Sequence, residues 1–308
     1  MKKAFYGLKQ ALRAWYGRID SFLTSLDFTK SKADPNLSFK VIEDEPVILL
    51  LYVDDLFLTE NEKQIVECKK KLAEEFEMKD LGLMHYFLGL EVWKSSEGIF
   101  LNQGKYAVEI LKRFDMLECK AMATPMDTNL KLLADESSEL VDVTQYRQII
   151  GSLMYLTNTR LDICFAVNTL SQHLVQRRRV RLIAAKHVMR YLKGTIDFGL
   201  YYDGNHDYRL YGYTNVDWAG SLSDRKGTSG GCYCLGFAMI SWFSRKQSSV
   251  ALSTVEAEYI AACNAIYEAI WLQKLMSSLF DLELDTTVVL CDNQSCINMT
   301  DNLVFHDK

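Results

Sequence analysis

The chain has 308 residues, about two domains at ~150 residues each, and its 49% hydrophobic and 24% charged residues can fill real cores. That balance excludes disordered, collagen-like and low-complexity readings of the whole chain. No apolar run reaches the ~18 residues of a membrane span, and Lys2 and Lys3 follow Met1 where a secretion signal would be apolar, so a soluble, unsecreted protein with no membrane partner is expected.

In chain order, residues 1 to 19 form a basic stripe. Lys2, Lys3, Lys9, Arg13 and Arg18 precede the first acid, Asp20, and Phe5, Tyr6, Trp15 and Tyr16 are interleaved among them. A helix is predicted over 11–26. The apolar runs 47–53 and 56–58, parted by Asp54 and Asp55, predict a tight hairpin with the acidic pair at its tip. A charged helix over 62–75 follows. The middle stretch, 96–205, reads as mostly helical, with periodic segments at 105–114, 145–156, 162–174 and 183–192. A loop or linker is expected over 128–143, where Asp, Glu and Ser dilute the pattern.

A second basic stripe lies between Asp162 and Asp197, an interval with no acid. In its predicted helix Ala185, Val188, Met189 and Leu192 face a core, leaving Lys186, Arg190 and Lys193 on a neighbouring outward face. On charge alone a solvated face and a phosphate-contacting face are equally open. From residue 206 the character changes. Alternating segments at 208–216 and 231–242 predict strands, 254–280 one long helix, and 286–290 a short strand leading into Cys291 and Asp292. An α+β or α/β domain is the expected result. The eight cysteines include no C-x-x-C pair and the five histidines are scattered. Neither a zinc site nor a disulfide framework is therefore expected, and the cysteines read as reduced, packed thiols.

Taken alone, Asp54 and Asp55 read as turn residues more readily than as holders of the two cations that phosphoryl transfer needs. Their surroundings change that balance. Tyr52-Val53-Asp54-Asp55 resembles the YVDD signature of copia-type retrotransposon reverse transcriptases. Ala4 to Ala11 and Arg13-Ala14-Trp15-Tyr16 resemble that family's template and nucleotide segment. Asp80-Leu81-Gly82 and His85 to Val92 resemble its primer grip, and Gly151 to Leu156 and Ala184 to Thr195 its thumb and connection. The resemblance implies that Asp54 and Asp55 coordinate Mg2+ or Mn2+. It also implies that Lys9 and Gln10, with Arg13 nearby, lie near nucleotide and template, and that Lys186, Arg190 and Lys193 hold the duplex. A further family aspartate lies on an earlier palm strand, before Met1 in this numbering. No polymerase activity is therefore expected from this chain alone, unless a partner chain supplies that segment.

The last hundred residues resemble the ribonuclease H domain of the same elements, through Gly212 to Gly220, Asp224 to Gly230, Ile240 to Trp242, Ala251 to Tyr259 and Cys291 to Ser295. The resemblance makes Glu258 and Asp292 metal ligands. The family's first aspartate falls at Asn215, and the fourth carboxylate lies beyond the Phe305-His306 segment. Asp217, two residues after Asn215, shares its strand side and offers a partial substitute, although a strand-end polar role is favoured.

The expected architecture is α+β: a partial reverse-transcriptase palm over 1–95, a helical thumb and connection over 96–205, and a truncated RNase H-like α/β domain over 206–308. The implied partners are an RNA template, an RNA:DNA hybrid and dNTPs, in the cytoplasm, as virus-like particles, or in the nucleus. The metal is expected to bind weakly because both carboxylate sets are incomplete, which leaves open whether the chain is an active enzyme. The competing reading is a non-catalytic RNA:DNA or RNA-binding relic.

Overall fold

The structure is a computed structural model describing residues 9–42, 45–53, 55–59, 62–127, 142–174, 178–204, 209–221, 224–280 and 285–301. The chain divides into two compact units, residues 1–82 with 270–286, and residues 83–269 with 287–308.

In the first unit, helices α1 (Lys9–Ser25) and α2 (Glu62–Glu75) accompany an antiparallel sheet in the order β1-β2-β3-β4. Its strands are β1 (Thr29–Lys30), β2 (Leu37–Ile42), β3 (Glu45–Tyr52) and β4 (Asp55–Thr59). Helical spacing brings Trp15, Tyr16, Ile19, Phe22 and Leu23 to one side of α1, and strand alternation brings Val47, Leu49 and Leu51 to one face of β3. These meet Cys68, Leu72 and Phe76 in one core. The hairpin forms with a shifted register. Tyr52 pairs with Asp55, so Asp55 already belongs to β4 and not to the connection. This register sets Leu49 opposite Leu58 and Leu51 opposite Leu56. With Asp54 and Asp55 as the loop, Leu49 would stand opposite Glu60 instead.

The second unit opens with a sheet in the order β5-β6-β7-β8, made of β5 (Tyr86–Phe87), β6 (Leu90–Lys94), β7 (Gly98–Asn102) and β8 (Gly199–Asp203). The β5–β6 turn places Leu88 and Gly89 at φ of 47° and 76°. A Cβ at Gly89 would lie 2.8 Å from the Tyr155 hydroxyl oxygen, and that hydroxyl donates to the Leu88 carbonyl. Only glycine fits there without displacing Tyr155. Helices α3 (Gly104–Arg113), α4 (Val143–Leu156), α5 (Cys164–Ser171) and α6 (Arg179–Gly194) build the larger core. The predicted segment 162–174 is split, since a 3-10 turn at Leu161–Ile163 precedes α5. On α6, Ala185, Val188, Met189 and Leu192 are all buried, as their spacing predicts. The expected loop over 128–143 lies almost wholly outside the described residues.

The last sheet has the order β11-β10-β9-β12, from β9 (Leu210–Asp217), β10 (Thr228–Leu235), β11 (Ala238–Lys246) and β12 (Val288–Cys291). β9, β10 and β11 are mutually antiparallel, and β12 runs parallel to β9. The predicted strand 231–242 is in fact a hairpin, turning at Gly236, whose φ is 59°. Helix α7 (Thr254–Phe280) has the predicted bounds, and α8 (Gln294–Asp301) follows β12. Buried alanines 257, 261, 262, 265 and 269 let α7 lie close to the sheet. There the Tyr233 hydroxyl donates to the Ala265 carbonyl.

Candidate metal centre and the aspartate hairpin

Three side chains from two distant segments converge at one end of the β11-β10-β9-β12 sheet. Glu258 sits in the first turns of α7, whose start is fixed by a Ser253-x-x-Glu256 capping arrangement. The Glu256 N–H donates to Ser253 Oγ at 3.1 Å, and the Glu256 carboxylate accepts from the Leu252 N–H at 2.7 Å. Cys291 ends β12 opposite Thr214, and Asp292 follows it. Asn293 then caps α8, its Oδ1 accepting from the Cys296 N–H at 2.9 Å. One donor atom each from Glu258, Cys291 and Asp292 lies within 4.8 Å of the other two.

Glu258 is 6% exposed. Its Oε2 is buried with no hydrogen-bond partner among the described residues. Burial, and then the negative charge of Asp292, push its carboxyl above the ordinary range, while the Val216 N–H pulls it back. The same N–H donates to Asn215 Oδ1 at 2.7 Å. Beneath Cys291, burial and the neighbouring Cys291 sulfur push the Cys296 thiol up to about 11.

Asp217 is not part of the group. A Cβ on Gly220 would lie 1.9 Å from Asp217 Oδ2, so this carboxylate covers the turn that follows β9. Burial raises its pKa.

At the hairpin of the first unit, Trp15 Nε1 donates to the Val53 carbonyl at 2.9 Å. Val53 has a φ of 53°, a left-handed conformation that is unfavourable for a β-branched residue. The Trp15 bond holds the carbonyl of that strained residue. Asp55 is exposed at the start of β4, and Asp54 lies outside the described residues.

Residues 1–128 match the family described as reverse transcriptase (RNA-dependent DNA polymerase). The chain is 37% identical over 309 residues to the retrovirus-related Pol polyprotein from transposon RE2 of Arabidopsis thaliana, covering all of this chain and 21% of that protein. It is 38% identical over 320 residues to that from transposon TNT 1-94 of Nicotiana tabacum, covering all of this chain and 24% of that protein. A putative transposon Ty5-1 protein of Saccharomyces cerevisiae is 32% identical over 268 residues, 85% of this chain and 87% of that protein. The chain belongs to the copia-type retrotransposon Pol family. It is the reverse transcriptase-like region of such polyproteins, and spans between a fifth and a quarter of the two Pol polyproteins.

The remaining residues singled out in this Pol region lie on α1 and α6. Lys9 and Gln10 open α1, and Arg13 is exposed one turn later. Lys186 and Lys193 are partly exposed on α6. Arg190 Nε donates to the Lys120 carbonyl at 2.7 Å, so one edge of its guanidinium serves the fold. Cys291 is the donor that sequence reasoning missed. Cysteine spacing rules look for sulfur partners nearby in sequence, whereas Cys291 gains its partners from the parallel strand pairing and from α7. Among the described residues no helix is long and apolar enough to cross a membrane.

Proposed function

We propose that the chain combines a polymerase palm part bearing Asp54 and Asp55, a primer-grip and thumb part over 83–204, and an RNase H-like domain over 209–301. One observation carries the nuclease-type reading: parallel β12 delivers Asp292 from the sheet end against buried Glu258 of the helix laid across that sheet. The RNase H resemblance places its metal ligands on these two elements. In the palm part, Asp54 and Asp55 would hold a divalent cation, which stabilises charge on nucleotide phosphates when bound.

Hybrid cleavage at a site of this kind calls for two magnesium ions. The orphaned Glu258 Oε2 suits one cation. A pair of hard cations needs a cage of anionic oxygens, and here the donors are two carboxylates and a thiol, with a neutral amide at Asn215. The set does not fit two magnesium ions.

Binding of an RNA:DNA hybrid rests on the partly exposed Lys186 and Lys193 of α6. Affinity of the full chain for a hybrid should fall steeply between about 50 and 200 mM salt, because phosphate contacts release counterions. Lys186→Ala with Lys193→Ala should lower the slope of log K against log salt by about 1 to 2. Salt-insensitive binding, or a slope unchanged by the double substitution, contradicts this use of α6.

A further inference from the structure

We propose that Glu258, Cys291 and Asp292 form a mixed carboxylate and thiolate site that binds one borderline-soft divalent cation, zinc in the cell, in preference to magnesium. Three donors from two distant segments already lie within 4.8 Å of one another. Independently, Glu258 is 6% exposed and its Oε2 has no hydrogen-bond partner among the described residues. A buried carboxylate oxygen left without a donor is a costly arrangement in a folded protein, and a cation beside it removes the penalty. The orphaned oxygen belongs to the carboxylate that contributes one of the three converging donors.

The identity of the cation follows from the donors. Zinc takes cysteine sulfur at about 2.3 Å and carboxylate oxygen at about 2.0 to 2.2 Å in tetrahedral geometry, which sets neighbouring donors roughly 3.3 to 3.8 Å apart. The observed spread asks for a contraction of about 1 Å, within reach of the exposed Asp292 side chain at the strand end. Magnesium demands six oxygens near 2.0 Å in octahedral order and has little affinity for sulfur. On binding, the Cys291 thiol gives its proton to solvent as the metal–sulfur bond forms, and the three protein anions leave the fourth position to water. The neutral Asn215 amide adds no charge that would draw in a second cation. The site stands on these donors whether or not the domain cleaves a hybrid.

The experiment is titration of the reduced full chain with cobalt(II) as an optical stand-in for zinc, followed by competition with zinc and with magnesium. The expected result is a thiolate-to-cobalt charge-transfer absorption that zinc removes and millimolar magnesium does not. Cys291→Ser should abolish that absorption and weaken cobalt binding at least about tenfold. Cys296→Ser should leave it in place. Asp292→Asn, a change at an exposed residue, should keep the absorption but weaken cobalt binding, and so guards against misreading a folding defect in the Cys291 variant. Absence of the thiolate absorption, its survival in Cys291→Ser, or cobalt displaced as readily by magnesium as by zinc overturns the proposal. A chain that passes this test and still leaves hybrids uncut confirms the cation site and separates it from the nuclease reading.

Discussion

Replacing Asp162 by Asn removes one half of an ion pair on which a turn of the second unit depends. Arg160 is 2% exposed. Its Nε and Nη2 reach Asp162 at 2.9 and 2.7 Å, and its Nη1 donates to the Thr195 carbonyl at 2.8 Å. The Tyr191 hydroxyl donates to Asp162 Oδ2 at 2.8 Å, and the guanidinium lies 5.9 and 5.5 Å from the Tyr191 and Phe198 ring centres. Breaking a buried pair from one side costs about 3 to 5 kcal/mol, because the other charge stays buried. Asp162 is 32% exposed at its side chain, and asparagine keeps one acceptor. The expected loss is therefore about 2 to 3 kcal/mol at neutral pH.

The pH dependence of that loss has a fixed sign. Burial works to raise the Asp162 carboxyl, but hydrogen bonding and charge from Arg160, with the Tyr191 hydroxyl, hold it below the ordinary carboxylate value. A lowered folded pKa gives stability that is present above the unfolded pKa and disappears as pH falls through the folded one. Urea unfolding of the natural chain and Asp162→Asn at pH 7 and at pH 3 should thus show a gap that narrows in acid. A gap below about 0.5 kcal/mol at pH 7, or one equal at both pH values, refutes the reasoning.

Two further outcomes are expected. Burial, and then the charges of Arg181 and Lys246, hold His173 down at about 4. The unfolded chain takes up that proton near pH 6.5 and the fold only near 4, so stability should fall by about 1.5 kcal/mol as pH drops across that window, after allowance for partial solvent screening. His173→Gln should flatten this limb of a urea-midpoint profile, and an unchanged limb contradicts it. Gly89→Ala, with φ of 76° and Tyr155 Oη 2.8 Å from the new Cβ, should cost about 2 to 3 kcal/mol. Gly82→Ala, at φ of 77° with nothing within 4 Å, should cost about 1 kcal/mol; equal thermal midpoints for the two variants would deny the Tyr155 contact its role.

Much of the fold was legible because local pattern decided it. The charged helix α2 and the long α7 carry their bounds in their own sequence, and the inward face of α6 follows from four residues at helical spacing. The β5-β6-β7-β8 sheet was not legible. β7 and β8 are five residues each, and their pairing brings Asn102 to Gly199 across the whole helical middle stretch, a long-range match that no local window contains. The hairpin register depended on which leucines oppose each other, which an apolar run cannot reveal. The resemblance named Glu258 and Asp292, and the structure brings their carboxylates together where β12 runs parallel to β9. Asp217 shared the alternation of Asn215 but turns to Gly220, an outcome set by the turn and not by the strand.

The central proposal is that Glu258 and Asp292 belong to a nuclease-type site in which Asn215 stands where the family has its first aspartate. Its most direct test is magnesium-dependent cleavage of an RNA:DNA hybrid by the natural full chain and by Asn215→Asp, side by side. The natural chain should cut no faster than a Glu258→Gln control, and Asn215→Asp should gain about tenfold or more, a gain abolished by adding Asp292→Asn. A natural chain that cuts as fast as Asn215→Asp, or an Asn215→Asp variant that stays at background, contradicts the account.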